Sequence, residues 1–66
     1  MTITVIYGNE KQTVEIQGNM TIKEVMDTMD ISSQTVVVKK NNEIVMEEEI
    51  AEDGDIIEVI RVIYGG

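Results

Sequence analysis

The sequence ends in Arg61-Val62-Ile63-Tyr64-Gly65-Gly66, an apolar run followed by two residues without side chains. A carboxylate carried on such a tail can be threaded through a narrow channel and brought close to a reacting group, because no Cβ stands in the way. Two glycines at fixed positions arise by chance in roughly 0.5% of chains, so the pair gains meaning only from what precedes it. Elsewhere the chain is poorly equipped for chemistry of its own. It contains no histidine and no cysteine, and so lacks the commonest general base, the commonest transition-metal ligand and any thiol nucleophile. The acidic residues Glu47, Glu48, Glu49, Glu52, Asp53 and Asp55 could offer oxygen ligands to Ca²⁺ or Mg²⁺, but they lack the D-x-D-x-D-G…E order of a calcium loop. They read as a solvated loop, and neither a metal nor a bound cofactor is expected.

The formal charge is -8, from 13 acidic and 5 basic residues. Phosphate recognition draws on Lys and Arg, and with two aromatic residues the chain has little with which to stack bases, so no nucleic-acid partner is expected. A partner with a basic face fits the balance better, although net charge of this size also simply keeps a small protein soluble. No apolar run approaches the roughly 20 residues that span a bilayer and no basic leader opens the chain, so a cytoplasmic protein without membrane attachment is expected. At 66 residues there is room for one domain, residues 1–66, ending in a Gly-Gly tail over about 64–66. A chain of that length buries only about 60% of its unfolded surface, which calls for an efficient core.

The elements follow from periodicity. Thr2 to Tyr7 is β-branched on both faces, Gly8 to Lys11 supplies turn chemistry, and Gln12 to Ile16 alternates Val14 and Ile16 with polar residues, which predicts a hairpin. The period then changes. Ile22, Val25, Met26 and Met29 stand at i, i+3, i+4 and i+7, on one face of a helix. Thr21 and Glu24 form a capping box at its start, with Met20 placed to staple onto Val25. Thr35–Lys40 and Glu43–Met46 flank Asn41-Asn42, a pair that tolerates a tight turn. An acidic connection closing on Asp53-Gly54-Asp55 leads to a last strand over residues 56–63. One amphipathic helix can bury its stripe against one face of a sheet. The expected class is α+β: a β-grasp, ubiquitin-like roll with a mixed four- to five-stranded sheet, one helix across one face, and the first and last strands central and parallel.

The second half carries a more specific likeness. Asn41-x-Glu43-Ile44-Val45, Asp53-Gly54-Asp55-x-Ile57-Glu58, Val59-Ile60-Arg61 and the terminal Gly65-Gly66 resemble the sulfur-carrier and ubiquitin-like modifier families: the thiamin-pathway carrier ThiS, the molybdopterin-synthase small subunit MoaD and, most of all, the small archaeal ubiquitin-like modifiers. The resemblance implies a protein co-substrate rather than an enzyme. A ubiquitin-activating-type enzyme using ATP and Mg²⁺ would adenylate the carboxylate of Gly66, with Gly65 threading the channel. A sulfur donor would then give a thiocarboxylate for thiamin, molybdenum-cofactor or tRNA-thiolation enzymes, or a target-protein lysine would give an isopeptide bond. Lys11, Lys23, Lys39 and Lys40 are the chain's own candidates as acceptors. Tyr64 departs from the small residue these families often place before the terminal pair.

In the last strand, alternation puts Ile57 and Val59 on one face and Ile56, Ile60 and Val62 on the other, and a single helix covers only one of them. Apolar residues beside the tail therefore read either as core or as a docking surface. Ile60, Arg61, Val62 and Tyr64 are the candidate contacts to the activating partner. The alternative is a ubiquitin-like interaction module that binds through the sheet and whose tail is inert.

Overall fold

The computed structural model describes residues 1–32 and 35–62, over which the chain runs β1 (Thr2–Tyr7), β2 (Glu10–Glu15), α1 (Ile22–Thr28), β3 (Val36–Lys40), β4 (Glu43–Val45) and β5 (Ile56–Arg61). The first hairpin turns more tightly than the sequence suggests. Gly8 takes φ +63°, the positive value that a type II′ turn requires at its first central residue. Tyr7 then pairs directly with Glu10, and β2 begins there rather than at Gln12. Ile16, beyond the strand, still donates from its N–H to the Met1 carbonyl at 2.8 Å and is buried.

Helix α1 is seven residues long, too short to persist alone in water. Both ends are fixed. At the N-terminus Glu24 N–H donates to Thr21 Oγ1 at 3.1 Å while Thr21 N–H donates to Glu24 Oε1 at 2.9 Å, the reciprocal pair of a capping box. The next free donors are taken by the acidic loop, as Ile22 N–H and Lys23 N–H reach the carbonyls of Glu49 and Glu47, each at 2.9 Å. At the C-terminus Asp30 adopts φ +64°, and the N–H groups of Asp30 and Ile31 return to the carbonyls of Asp27 and Met26. That is a Schellman ending, with Ile31 and Met26 both buried across it. Ile22, Val25 and Met26 form the buried stripe, while Met29 and Met20 are partly buried against its rim.

The five strands form one mixed sheet in the order β2-β1-β5-β3-β4. β5 lies at the centre, parallel to β1 and antiparallel to β3. Ile3, Val5, Val38, Ile57 and Val59 share one face and pack with the helix into the core. This is the expected α+β β-grasp roll, with five strands. β5 ends at Arg61, so it is shorter than the run over residues 56–63 suggests, and Ile63 lies outside the described residues. Among the described residues no helix is long and apolar enough to cross a membrane.

Candidate functional site

The C-terminal strand delivers the tail. Ile57 and Val59 are buried, whereas Ile56 and Ile60 on the opposite face are 49% and 37% exposed. Of the candidate contacts, then, Ile60 is not core. Arg61 is exposed on the helix side of the sheet, and Val62 is half-buried, its N–H held by the Thr35 carbonyl at 2.9 Å. Tyr64, Gly65 and Gly66 lie outside the described residues. Val62 is thus the last described anchor before the terminal pair.

The registers place further apolar side chains on the same open face. Val37 stands opposite Ile60, Lys39 opposite both Glu58 and Ile44, and Ile6 beside Glu58. Ile44, 73% exposed, extends this surface to the sheet edge, with Met46, 74% exposed, just beyond β4. The sequence gives no sign that Val37 and Ile44 join Ile60, because they are distant along the chain and only the strand order brings them together.

The acidic segment is not uniformly solvated. Glu48, Glu49, Glu52 and Asp53 are exposed, but Asp55 is buried at 6% exposure. Its Oδ1 accepts from Asn41 Nδ2 at 2.9 Å and its Oδ2 from Glu52 N–H at 2.8 Å, with Lys40 Nζ at 3.4 Å. Lys40 also donates to the Ile50 carbonyl at 3.0 Å and lies 3.7 and 3.6 Å from Glu49 and Glu52. These carboxylates therefore surround an ammonium already supplied by the fold. Among the described residues no group of acidic side chains is arranged to hold a metal ion.

Burial alone would push the Asp55 carboxyl up. The hydrogen bonds from Asn41 and Glu52, together with the Lys40 ammonium, outweigh it and hold Asp55 below its ordinary range. Lys40 is the mirror case, in which burial disfavours the charge but Asp55, then Glu52 and Glu49, keep the amine above its ordinary value. An amine so held is a poor nucleophile, which sets Lys40 apart from the exposed Lys11 and Lys23 as an acceptor.

Comparison with known proteins agrees with this architecture. Residues 3–66 match the model of the ThiS family, a span that includes the terminal glycines. The sulfur carrier protein TtuB of Thermus thermophilus is 32% identical over 57 residues, covering 86% of this chain and 88% of that protein. The crystal structure of SAMP1 from Haloferax volcanii superposes with a TM-score of 0.78 over the whole of both chains at 15% identity. A chain of the complex of molybdopterin-converting factor subunits 1 and 2 from Helicobacter pylori matches with a TM-score of 0.71 at 16% identity, again over all of both chains. These likenesses to solved structures concern the fold, whereas the sequence match runs through the last strand and the tail. The chain accordingly belongs to the ThiS family.

Proposed function

We propose that this protein is an acyl carrier of sulfur, acted on by an ATP-dependent activating enzyme. An oxygen of the Gly66 carboxylate attacks the α-phosphorus of ATP and pyrophosphate leaves, giving an acyl-adenylate. A sulfur nucleophile then attacks the acyl carbon and AMP leaves: hydrosulfide gives the thiocarboxylate directly, whereas a donor persulfide gives an acyl disulfide whose S–S bond a thiol cleaves, leaving the thiocarboxylate for a biosynthetic acceptor enzyme and the donor sulfur in a disulfide with that thiol. The same adenylate can pass to a target-protein lysine as an isopeptide bond. A bare carboxylate is a poor electrophile because its charge is delocalised and its oxygens leave badly; AMP supplies the missing leaving group. The chain itself brings no catalyst, and Mg²⁺ and ATP belong to the partner.

The observation that carries this reading is the family match from residue 3 through Gly66. The similarity to a sulfur carrier supports it. Incubation with the adenylating enzyme of the same organism, ATP and Mg²⁺ is expected to give a Gly66 adenylate, and adding a sulfur donor the thiocarboxylate, both read by intact-mass spectrometry. Failure to form either, or equal reaction after deletion of Gly66, rejects it. The exposed sheet face favours a second reading, a binding module with an inert tail. Partner binding that persists unchanged, with no adduct, in the chain lacking Gly66 would select that reading instead.

A further inference from the structure

Asp53 is the one Asp or Asn in the chain that a glycine follows. In such a pair the next amide nitrogen can attack the side-chain carboxyl, and what ordinarily obstructs it is a side chain on the following residue. Gly54 offers no obstruction. It takes φ +85°, and among the described residues no atom beyond its chain neighbours lies within 4 Å of the place a Cβ would occupy. Yet both reacting groups are held, and by a single residue. Thr2 N–H donates to Asp53 Oδ1 at 2.8 Å, and the Thr2 carbonyl accepts from Gly54 N–H at 2.8 Å. The main chain of Thr2 thus fixes the electrophile in place and keeps the nucleophile's proton engaged.

We infer that the Asp53-Gly54 linkage is a latent site of covalent self-modification, closed in the folded chain by Thr2 and opened when the first residue of β1 detaches. The Gly54 nitrogen then bonds to Asp53 Cγ and loses its proton, a carboxyl oxygen departs as water, and a succinimide ring closes. Water adding back at Cγ breaks the new C–N bond and restores aspartate. Water adding at the main-chain carbonyl carbon of Asp53 breaks the original peptide bond instead and leaves isoaspartate, with the chain running through Cβ and Cγ. One water leaves and one returns, so neither an oxidant nor a reductant is needed. The class of enzyme that acts on such a product is a methyltransferase that esterifies the freed α-carboxylate.

The surrounding loop gives the change its effect. Isoaspartate adds one atom to the main chain just ahead of Asp55, whose N–H donates to the Glu52 carbonyl at 3.0 Å and whose carbonyl accepts from Thr4 N–H at 3.0 Å. Asp55 also carries the buried contacts to Asn41 and Lys40, and β5 starts at the next residue. The longer linkage cannot keep the Thr2 bonds and these contacts together, so the isomerised chain is expected to unfold at lower urea. Strand ends open locally at far less cost than the core. Modification then proceeds at a rate set by the population of the detached state.

Isoaspartate at residue 53 is read by electron-transfer fragmentation after incubation at neutral pH. The folded chain is expected to form it at least about tenfold more slowly than the chain unfolded in urea, because the Thr2 bonds oppose opening. Thr2→Pro removes the N–H at the first position of the strand, where proline is tolerated, and should raise the folded rate about fivefold. Thr2→Val keeps that N–H and should leave the rate unaltered. Amide exchange at Val5 and Ile57, paired and buried between β1 and β5, should not change in Thr2→Pro, which marks the release as local. In the unaltered chain, raising urea should increase the isomerisation rate in parallel with exchange of the Gly54 amide, a comparison that needs no variant. Equal rates in the folded and unfolded chain, isomerisation that does not follow Gly54 exchange, or no isoaspartate at residue 53 in the unfolded chain overturns the inference. Adenylation enters none of these measurements, so the carrier function stands or falls separately.

Discussion

Asp55 does more for this fold than any of the exposed carboxylates around it. Its side chain joins the Asn41 turn, the end of the acidic loop and the Lys40 ammonium at one buried point. Removing one partner of such a set strands the others, and Asp55→Ala is expected to cost about 3 kcal/mol, measured by urea unfolding near pH 7. The pH dependence follows from the direction of the shift. The folded carboxyl sits below its ordinary 3.8, so the unfolded chain takes up the proton first. The stabilisation is complete above the unfolded value and is lost as pH falls through the folded one. Urea midpoints should therefore drop below about pH 4, and Asp55→Asn should flatten that drop; an unchanged acid limb in Asp55→Asn would show that other carboxylates cause it. Lys40 behaves oppositely, being held above 10.5. Its contribution is whole below that value and fades as pH rises through the higher folded one.

Among the elements, the β3–β4 hairpin shows how two identical residues take different tasks. Asn41 and Asn42 both have positive φ, 50° and 73°, as a two-residue type I′ turn requires. Only Asn41 uses its side chain, accepting from Ile56 N–H at 2.9 Å while donating to Asp55. Asn42→Gly keeps the backbone requirement and should change stability by no more than about 0.5 kcal/mol. Asn41→Gly loses two hydrogen bonds to buried or strand groups and should cost about 2 kcal/mol. Equal effects in thermal melts of the two variants would refute this division of roles. The turn was legible in the sequence because Asn is tolerant at that φ, just as the capping box and the 22, 25, 26, 29 stripe were legible from spacings of three and four. The second task of Asn41 was hidden. Its partners lie 14 and 15 residues away, and nothing local separates Asp55 from the solvated acids before it. The ends of β2 and β5 depart from the sequence pattern for a related reason: hairpin register and sheet pairing end a strand, and side-chain alternation does not record them.

At the scale of the molecule, the net charge is plain in the sequence, but its distribution depends on topology. Strand registers put Lys11, Lys39, Glu15 and Glu58 together on the open sheet face. That face is balanced, and the whole excess of -8 falls on the helix, the 47–55 loop and the edges. A partner with a generally basic surface, the expectation from composition, therefore suits the helix side better than the face beside the tail. The same distribution crowds like charge. Glu24, Asp27 and Asp30 lie on or just after the helix whose N-terminus the loop of Glu47, Glu48 and Glu49 caps. Against this repulsion stand few surface attractions. Lys23–Asp27 is an exposed pair at 3.5 Å, a type that contributes about 0–1 kcal/mol. Lys40 is far less exposed, so salt reaches its pairs least. Raising NaCl from about 0.1 to about 1 M shortens the screening length from about 10 to about 3 Å. It should remove more repulsion than attraction and raise the melting temperature by several degrees, about 4–8 °C for each kcal/mol in a domain of this size. Neutralising Glu47, Glu48 and Asp53 as Gln, Gln and Asn should raise the low-salt melting temperature and shrink the response to salt. A melting temperature that falls with salt would mean that the ion pairs outweigh the crowded acids, and the charge argument would fail.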